Sequence, residues 1–106
     1  MTTADYNMFV KEFWRGRRMQ DGSPDLTSFM IMSLGLAGET GEVMELIKKD
    51  VRDGVDPTDK IKLELGDVLY YLTCLAWMYG HTLEDVMQAN VDKLKHRREH
   101  GKKEQN

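Results

Sequence analysis

The sequence predicts an all-α, four-helix-bundle-like single domain. Three observations carry this: apolar residues recur at helical spacing, the two prolines and several glycines fall where helices would begin and end, and no stretch shows the period-two alternation of a strand. The first helix is read as Thr3–Gln20, with Tyr6, Phe9, Phe13 and Trp14 along it and Gly16 marking a frayed basic end. The second is Pro24–Asp53, opened by Ser23 as cap with Pro24 at the first helical position, and closed by Gly54. The third, Pro57–Tyr79, repeats the device with Asp56 and Pro57 and is closed by Gly80; Ile61, Leu65, Val68, Leu69, Leu72 and Leu75 form its apolar stripe. The fourth, Leu83–His100, opens on a capping box of Thr82 and Asp85, with a narrower stripe of Leu83, Val86, Met87, Val91 and Leu94.

At 106 residues the chain has room for one domain, 1–106, and one modest core. A second helix of about 30 residues would span about 45 Å, whereas a globule of this length is only about 35 Å across. That helix must bend or reach beyond its own monomer, so a homo-oligomer is expected, a homodimer or a dimer of dimers. No apolar run approaches the roughly 20 residues of a membrane span. The first residues, MTTADYNMFVKEFW, lack the layout of a secretory signal, and one cysteine, Cys74, excludes an internal disulfide framework and a cysteine zinc site. A cytoplasmic location follows as the expectation.

Four glycines, Gly35, Gly38, Gly41 and Gly66, fall inside the second and third helices, where each costs about 1 kcal/mol relative to alanine. Close packing of two helices would explain them. It would not explain why three directly precede an acid, in Gly38-Glu39, Gly41-Glu42 and Gly66-Asp67. Glu39 and Glu42 are three residues apart, as are Glu64 and Asp67, so each pair shares a helix face beside the apolar stripe. If the two helices pack as an antiparallel hairpin, four carboxylates converge at a semi-buried seam. Like charges there repel and call for a cation, and oxygen-only ligands suit Mg2+, Mn2+ or Ca2+. An ordinary solvated acidic face is the competing reading, and the adjacent glycines favour the metal.

The segment GLAGETGEVMELIKK, followed after 14 residues by ELGDVLYYL, resembles the MazG-type all-α nucleoside triphosphate pyrophosphohydrolases. That family pairs E-x-x-E on one helix with E-x-x-D on the next, here Glu39, Glu42, Glu64 and Asp67, and the tail NVDKLKHR resembles its closing segment. The similarity covers roughly residues 26–98. It implies Mg2+-dependent cleavage of a nucleoside triphosphate between the α- and β-phosphates, with Mn2+ as a possible substitute and the four acids as metal ligands. Glu39 or Glu42 would be left to orient the attacking water. By the same resemblance Asn90, Lys93 and Arg97 would contact phosphate or sugar, with Lys60 behind them, although for any single lysine a solvated helix face is the plainer reading. Trp14 is the candidate to stack on a base, against plain core packing.

Other readings fare worse. Di-iron bundles use Glu-x-x-His, and none of His81, His96 or His100 has a glutamate three residues before it. The glycines of GLAGETG lack the Gly-Lys-Ser/Thr of a phosphate loop. A non-catalytic helical oligomer that binds nucleic acid through the basic last helix is the main alternative. Residues 91–106 carry 6 Lys/Arg against 3 Asp/Glu, but the first 90 carry 9 against 15, which opposes tight binding to a polyanion.

Overall fold

The computed structural model describes residues 1–101. Four α-helices follow in order, α1 Thr3–Phe13, α2 Leu26–Asp53, α3 Thr58–Met78 and α4 Leu83–His96, with a π-helical turn at Arg97–Gly101. No strand occurs among the described residues, so the all-α expectation is met; Arg18 and Pro24 form an isolated bridge. No helix there is long and apolar enough to cross a membrane.

Local chemistry sets most helix ends. A capping box opens α1, in which the Thr2 hydroxyl accepts from the Asp5 N–H at 3.0 Å and the Asp5 carboxylate accepts from the Thr2 N–H at 2.9 Å. Thr82 and Asp85 do the same for α4, as expected. Gly54 ends α2 at φ 71° and Gly80 follows α3 at φ 83°, the left-handed conformation that glycine adopts without cost. The two proline-marked starts lie slightly later than the spacing predicts. Ser23 is held in a turn by Asp21, and Asp25 instead caps α2 by accepting from the Ser28 N–H at 2.9 Å. Asp56 does serve α3, accepting from the Thr58 N–H at 3.0 Å and its hydroxyl at 2.6 Å, but Pro57 occupies the cap position and the helix begins at Thr58.

The largest departure is α1, which stops at Phe13 rather than Gln20. Trp14 turns to an extended ψ of 133°, and the Arg15 guanidinium donates to the carbonyls of Glu12 and Trp14, replacing helical partners. Gly16 is therefore no frayed helical residue: a Cβ there would lie 2.0 Å from a ring atom of Trp14. The chain then forms a tight loop, with the Met19 N–H donating to the Ser23 carbonyl at 2.7 Å and the Asp25 N–H to the Arg17 carbonyl at 3.0 Å. At the other end, α4 stops at His96, and the backbone that was expected to stay α-helical to His100 widens into the π turn.

α2 and α3 form an antiparallel hairpin. Val10, Trp14, Met32 and Cys74 make the buried centre, surrounded by Tyr6, Tyr70, Tyr71, Leu75, Trp77 and Met78. This core lies where α1 packs on α3, with Trp14 just beyond α1 and Met32 of α2 completing it. Gly35 admits the Tyr71 ring so closely that a Cβ would fall 2.3 Å from it. The close-packing account of the helical glycines thus holds for Gly35. We expect Gly35→Ala to lower the melting temperature despite its better helix propensity, because overpacking costs about 1–3 kcal/mol against about 1 kcal/mol gained. A thermal melt by circular dichroism measures the sign, and a rise would refute the contact.

α4 is anchored at its start, where Leu83 is buried and its N–H donates to the Asn7 side chain at 3.0 Å. Beyond Leu83 every residue of α4 is exposed, and α4 packs on α1 and α3 but not on α2. The stripe of Val86, Met87, Val91 and Leu94 has the expected period but is only partly covered by the described residues. The radius of gyration is accordingly 16.7 Å, against about 13 Å for a compact domain of this length.

Candidate functional site

The hairpin brings three carboxylates together. One oxygen from each of Glu39 on α2 and Glu64 and Asp67 on α3 lies within 4.8 Å of the others; Glu39 and Glu64 are half-buried and Asp67 is exposed. The i, i+3 spacing puts Glu64 and Asp67 on one face of α3, and the antiparallel packing sets Glu39 opposite them. Desolvation, followed by the charges of Asp67 and Glu64, raises the Glu39 carboxyl above the ordinary carboxylate range. No lysine or arginine forms an ion pair with any of the three within 4.0 Å among the described residues. Such a set fits a hard divalent cation, which takes carboxylate oxygens and cancels the repulsion.

Glu42, expected as a fourth member, is exposed and does not join this group. It lies about 4.5 Å further along α2 toward the hairpin turn, so sharing a helix face does not bring it to the same depth on α3. The three glycines that precede these acids, Gly38, Gly41 and Gly66, have no atom within 4 Å of where a Cβ would stand, their chain neighbours and own helix backbone aside. Helix packing within the chain therefore does not account for them. They leave bare backbone beside the acids, where another body can approach.

The expected basic and polar contacts are dispersed. Lys60 lines a cavity of about 240 Å3 at the α2–α3 turn, with Lys49, Asp56 and Asp59 among its walls. Asn90 and Lys93 line an open groove of about 690 Å3 on α4, together with His81, Asp85, Val86 and Ala89. None of Glu39, Glu64 and Asp67 lines that groove, and Arg97 stands exposed in the π turn. Trp14 is core: it is 2% exposed, packed edge-on against Trp77 at 5.2 Å between ring centroids, with the Arg18 guanidinium 4.8 Å over its ring. The base-stacking reading is replaced by packing, because the indole turns inward where α1 ends. Tyr6, one of the α1 aromatics expected to serve base recognition, is half-buried against the core, and its phenol is pushed up by burial first and then by the charges of Cys74 and Asp67. Nothing in its spacing distinguished it from the other aromatics of α1.

Comparison with known proteins bears on this site. The family model described as the MazG nucleotide pyrophosphohydrolase domain matches residues 28–102. The chain is similar to the Gene 37 protein of Mycobacterium phage L5, 39% identical over 75 residues that cover 66% of each chain. It is also similar to the uncharacterized protein YvdC of Bacillus subtilis (strain 168), 32% identical over 110 residues, covering 94% of this chain and 99% of that one. No solved structure matches it. The chain spans slightly less than two thirds of the phage protein's length and nearly the whole of the Bacillus protein's.

Proposed function

The chain belongs to the MazG nucleotide pyrophosphohydrolase domain family, and from that premise we propose that it hydrolyses a nucleoside triphosphate between the α- and β-phosphates, releasing the monophosphate and pyrophosphate. The observation that carries this reading is the convergence of Glu39, Glu64 and Asp67 from two helices, with no lysine or arginine among the described residues in an ion pair with them. A bare carboxylate trio repels a triphosphate; with Mg2+, or Mn2+ in its place, it becomes the place where one binds.

In this reading Glu39, Glu64 and Asp67 hold the ion, which supplies Lewis-acid polarisation of the phosphoryl oxygens and neutralises the substrate's charge. Glu42, one helical turn from Glu39 and free of the trio, orients the attacking water and accepts its proton. Half-burial of Glu39 and Glu64 limits the water that competes for the reacting phosphorus. The bare backbone at Gly38, Gly41 and Gly66 lets phosphate oxygens approach without meeting a Cβ. Asn90, Lys93 and Arg97 are assigned to phosphate and sugar, with Lys60 behind them. They are donors without acceptor groups, apart from the Asn90 amide, which suits a polyanion. We place the protein in the cytoplasm as a homo-oligomer acting on the free nucleotide pool. The acidic balance of the first 90 residues, 15 Asp/Glu against 9 Lys/Arg, disfavours a nucleic-acid partner.

The test is release of pyrophosphate from canonical and base-modified ribo- and deoxynucleoside triphosphates by the purified full chain. Turnover of at least one of them with Mg2+, lost on chelation, is the expected result. No release from any of them with Mg2+ or Mn2+ overturns the reading.

A further inference from the structure

The histidines of this chain fit no di-iron motif, yet two of them stand together at the end of α4. His96 closes the helix and His100 lies in the π turn that follows, four residues on. Four-residue spacing puts two side chains on one helix face. Their rings are stacked, with centroids 4.2 Å apart and planes 26° from parallel, and both residues are exposed. Single π turns occur frequently at functional sites.

The His100 ring is held as a metal-bound imidazole is held. Its Nδ1 lies 3.1 Å from the His96 carbonyl oxygen. A carbonyl only accepts, so in the neutral ring Nδ1 carries the proton and Nε2 the lone pair. A backbone carbonyl on Nδ1–H is the contact that commonly fixes the tautomer and orientation of a ligating histidine. Rotation about χ2, a soft torsion for an imidazole, tilts the two Nε2 atoms toward a common point. Two bonds of about 2.0–2.1 Å meeting at a tetrahedral angle need nitrogens about 3.3 Å apart, close to the separation of the stacked rings.

The surroundings suit a cation. Asp92, four residues before His96, completes a stripe of Asp92, His96 and His100 down one side of the helix, and its carboxylate accepts from the Gln88 Nε2 at 3.0 Å. The carbonyl end of α4 adds partial negative charge. Arg97 and Arg98, one and two residues past His96, lie on other faces. No third ligand atom closes on the pair among the described residues, so water completes the coordination.

We propose that His96 and His100 form a second metal site, a bidentate imidazole clip for a borderline transition-metal ion, Zn2+ above all. Imidazole nitrogens take such ions and leave hard Mg2+ to carboxylates, so the two sites of the chain sort ions by ligand chemistry. A metal across the pair also ties down the backbone of the π turn, which carries Arg97. The inference is independent of the catalytic reading, because it is tested by metal binding at nitrogen and not by turnover.

Zn2+ titrated calorimetrically into the full chain under excess Mg2+, which occupies the carboxylate trio, should bind at one site per chain. His96→Ala and His100→Ala should each weaken that binding by at least the factor of about 10–100 that loss of an outer-shell partner alone costs. Both should keep the helical signal in circular dichroism, and His81→Ala should bind as wild type does. Long-range 1H–15N correlation spectra of the imidazoles should show Zn2+ at Nε2 of both rings, with Nδ1 of His100 still protonated. No Zn2+ binding under Mg2+, binding that follows His81 or Asp67 instead of the pair, or a spectrum in which only one of the two rings takes the metal would each overturn the proposal.

Discussion

Asp67→Asn is expected to abolish turnover while leaving the fold as stable as before, or more so, in the absence of metal. The two effects have opposite signs because the same charge serves the ion and opposes its neighbours. Removing one carboxylate from a three-ligand set forfeits several kcal/mol of stabilisation of the developing phosphoryl charge, and about 4 kcal/mol corresponds to a loss on the order of 10³-fold in kcat. In the metal-free protein, desolvation and then the charges of Asp67 and Glu64 hold the Glu39 carboxyl high. A carboxyl whose folded value is raised contributes stability that is complete below its unfolded value and is lost as pH rises through the folded one. The Glu39 contribution should therefore be lost from the metal-free wild type as pH rises through its raised value, and Asp67→Asn should reduce that loss relative to wild type. Asp21, Asp56 and Asp85, held low by their turn and cap hydrogen bonds, act in the opposite direction equally in both proteins. A saturating divalent ion should restore the wild type: at a hundred times its dissociation constant it adds about 2.7 kcal/mol. Thermal melts in chelator and in Mg2+ at acid and neutral pH, run beside pyrophosphate release, measure all of this. Retained turnover in Asp67→Asn, or an equal response to Mg2+ in both proteins, would remove the cluster from the site.

What could be read in the sequence is what short-range physics decides. Thr82 with Asp85, Gly54 and Gly80 act within one turn of backbone, and the structure uses them as read. The acid pairs were legible as pairs because three-residue spacing fixes a helix face. Which acids meet depends on the axial stagger of α2 against α3, and no local pattern encodes it; three converge and Glu42 does not. The same limit explains α1 and α4. Trp14 ends α1 because its indole fits beside Trp77 over Gly16, a contact across more than 60 residues of chain. The stripe of α4 was correctly periodic, but a period identifies an apolar face without saying which body covers it. The glycines divide in the same way: Gly35 answers to Tyr71, whereas Gly38, Gly41 and Gly66 meet no packing neighbour among the described residues.

Trp14→Ala should have the largest effect on stability of any substitution outside the acid cluster. The indole is 2% exposed, with Trp77 at its edge and Arg18 across its face. Truncation of such a side chain costs about 3–5 kcal/mol, a large share of the roughly 5–15 kcal/mol that holds a domain folded. At about 4–8 °C per kcal/mol for a chain of this size, the melting temperature should fall by well over 10 °C. Trp14→Phe should be much milder. The indole Nε1 is buried without a hydrogen-bond partner among the described residues, so the phenyl ring gives up volume but also removes an unsatisfied donor worth about 1–3 kcal/mol against the fold. Kinetics on the Phe variant separate packing from recognition even if the Ala variant does not fold. A residue that only packs leaves KM within about twofold of wild type at a temperature where both proteins are folded. A base-stacking residue contributes about 1–3 kcal/mol per base, and its loss would raise KM roughly five- to 150-fold. A large rise in KM with an unchanged melting temperature would return Trp14 to the nucleotide; a fall in melting temperature at constant KM keeps it in the core.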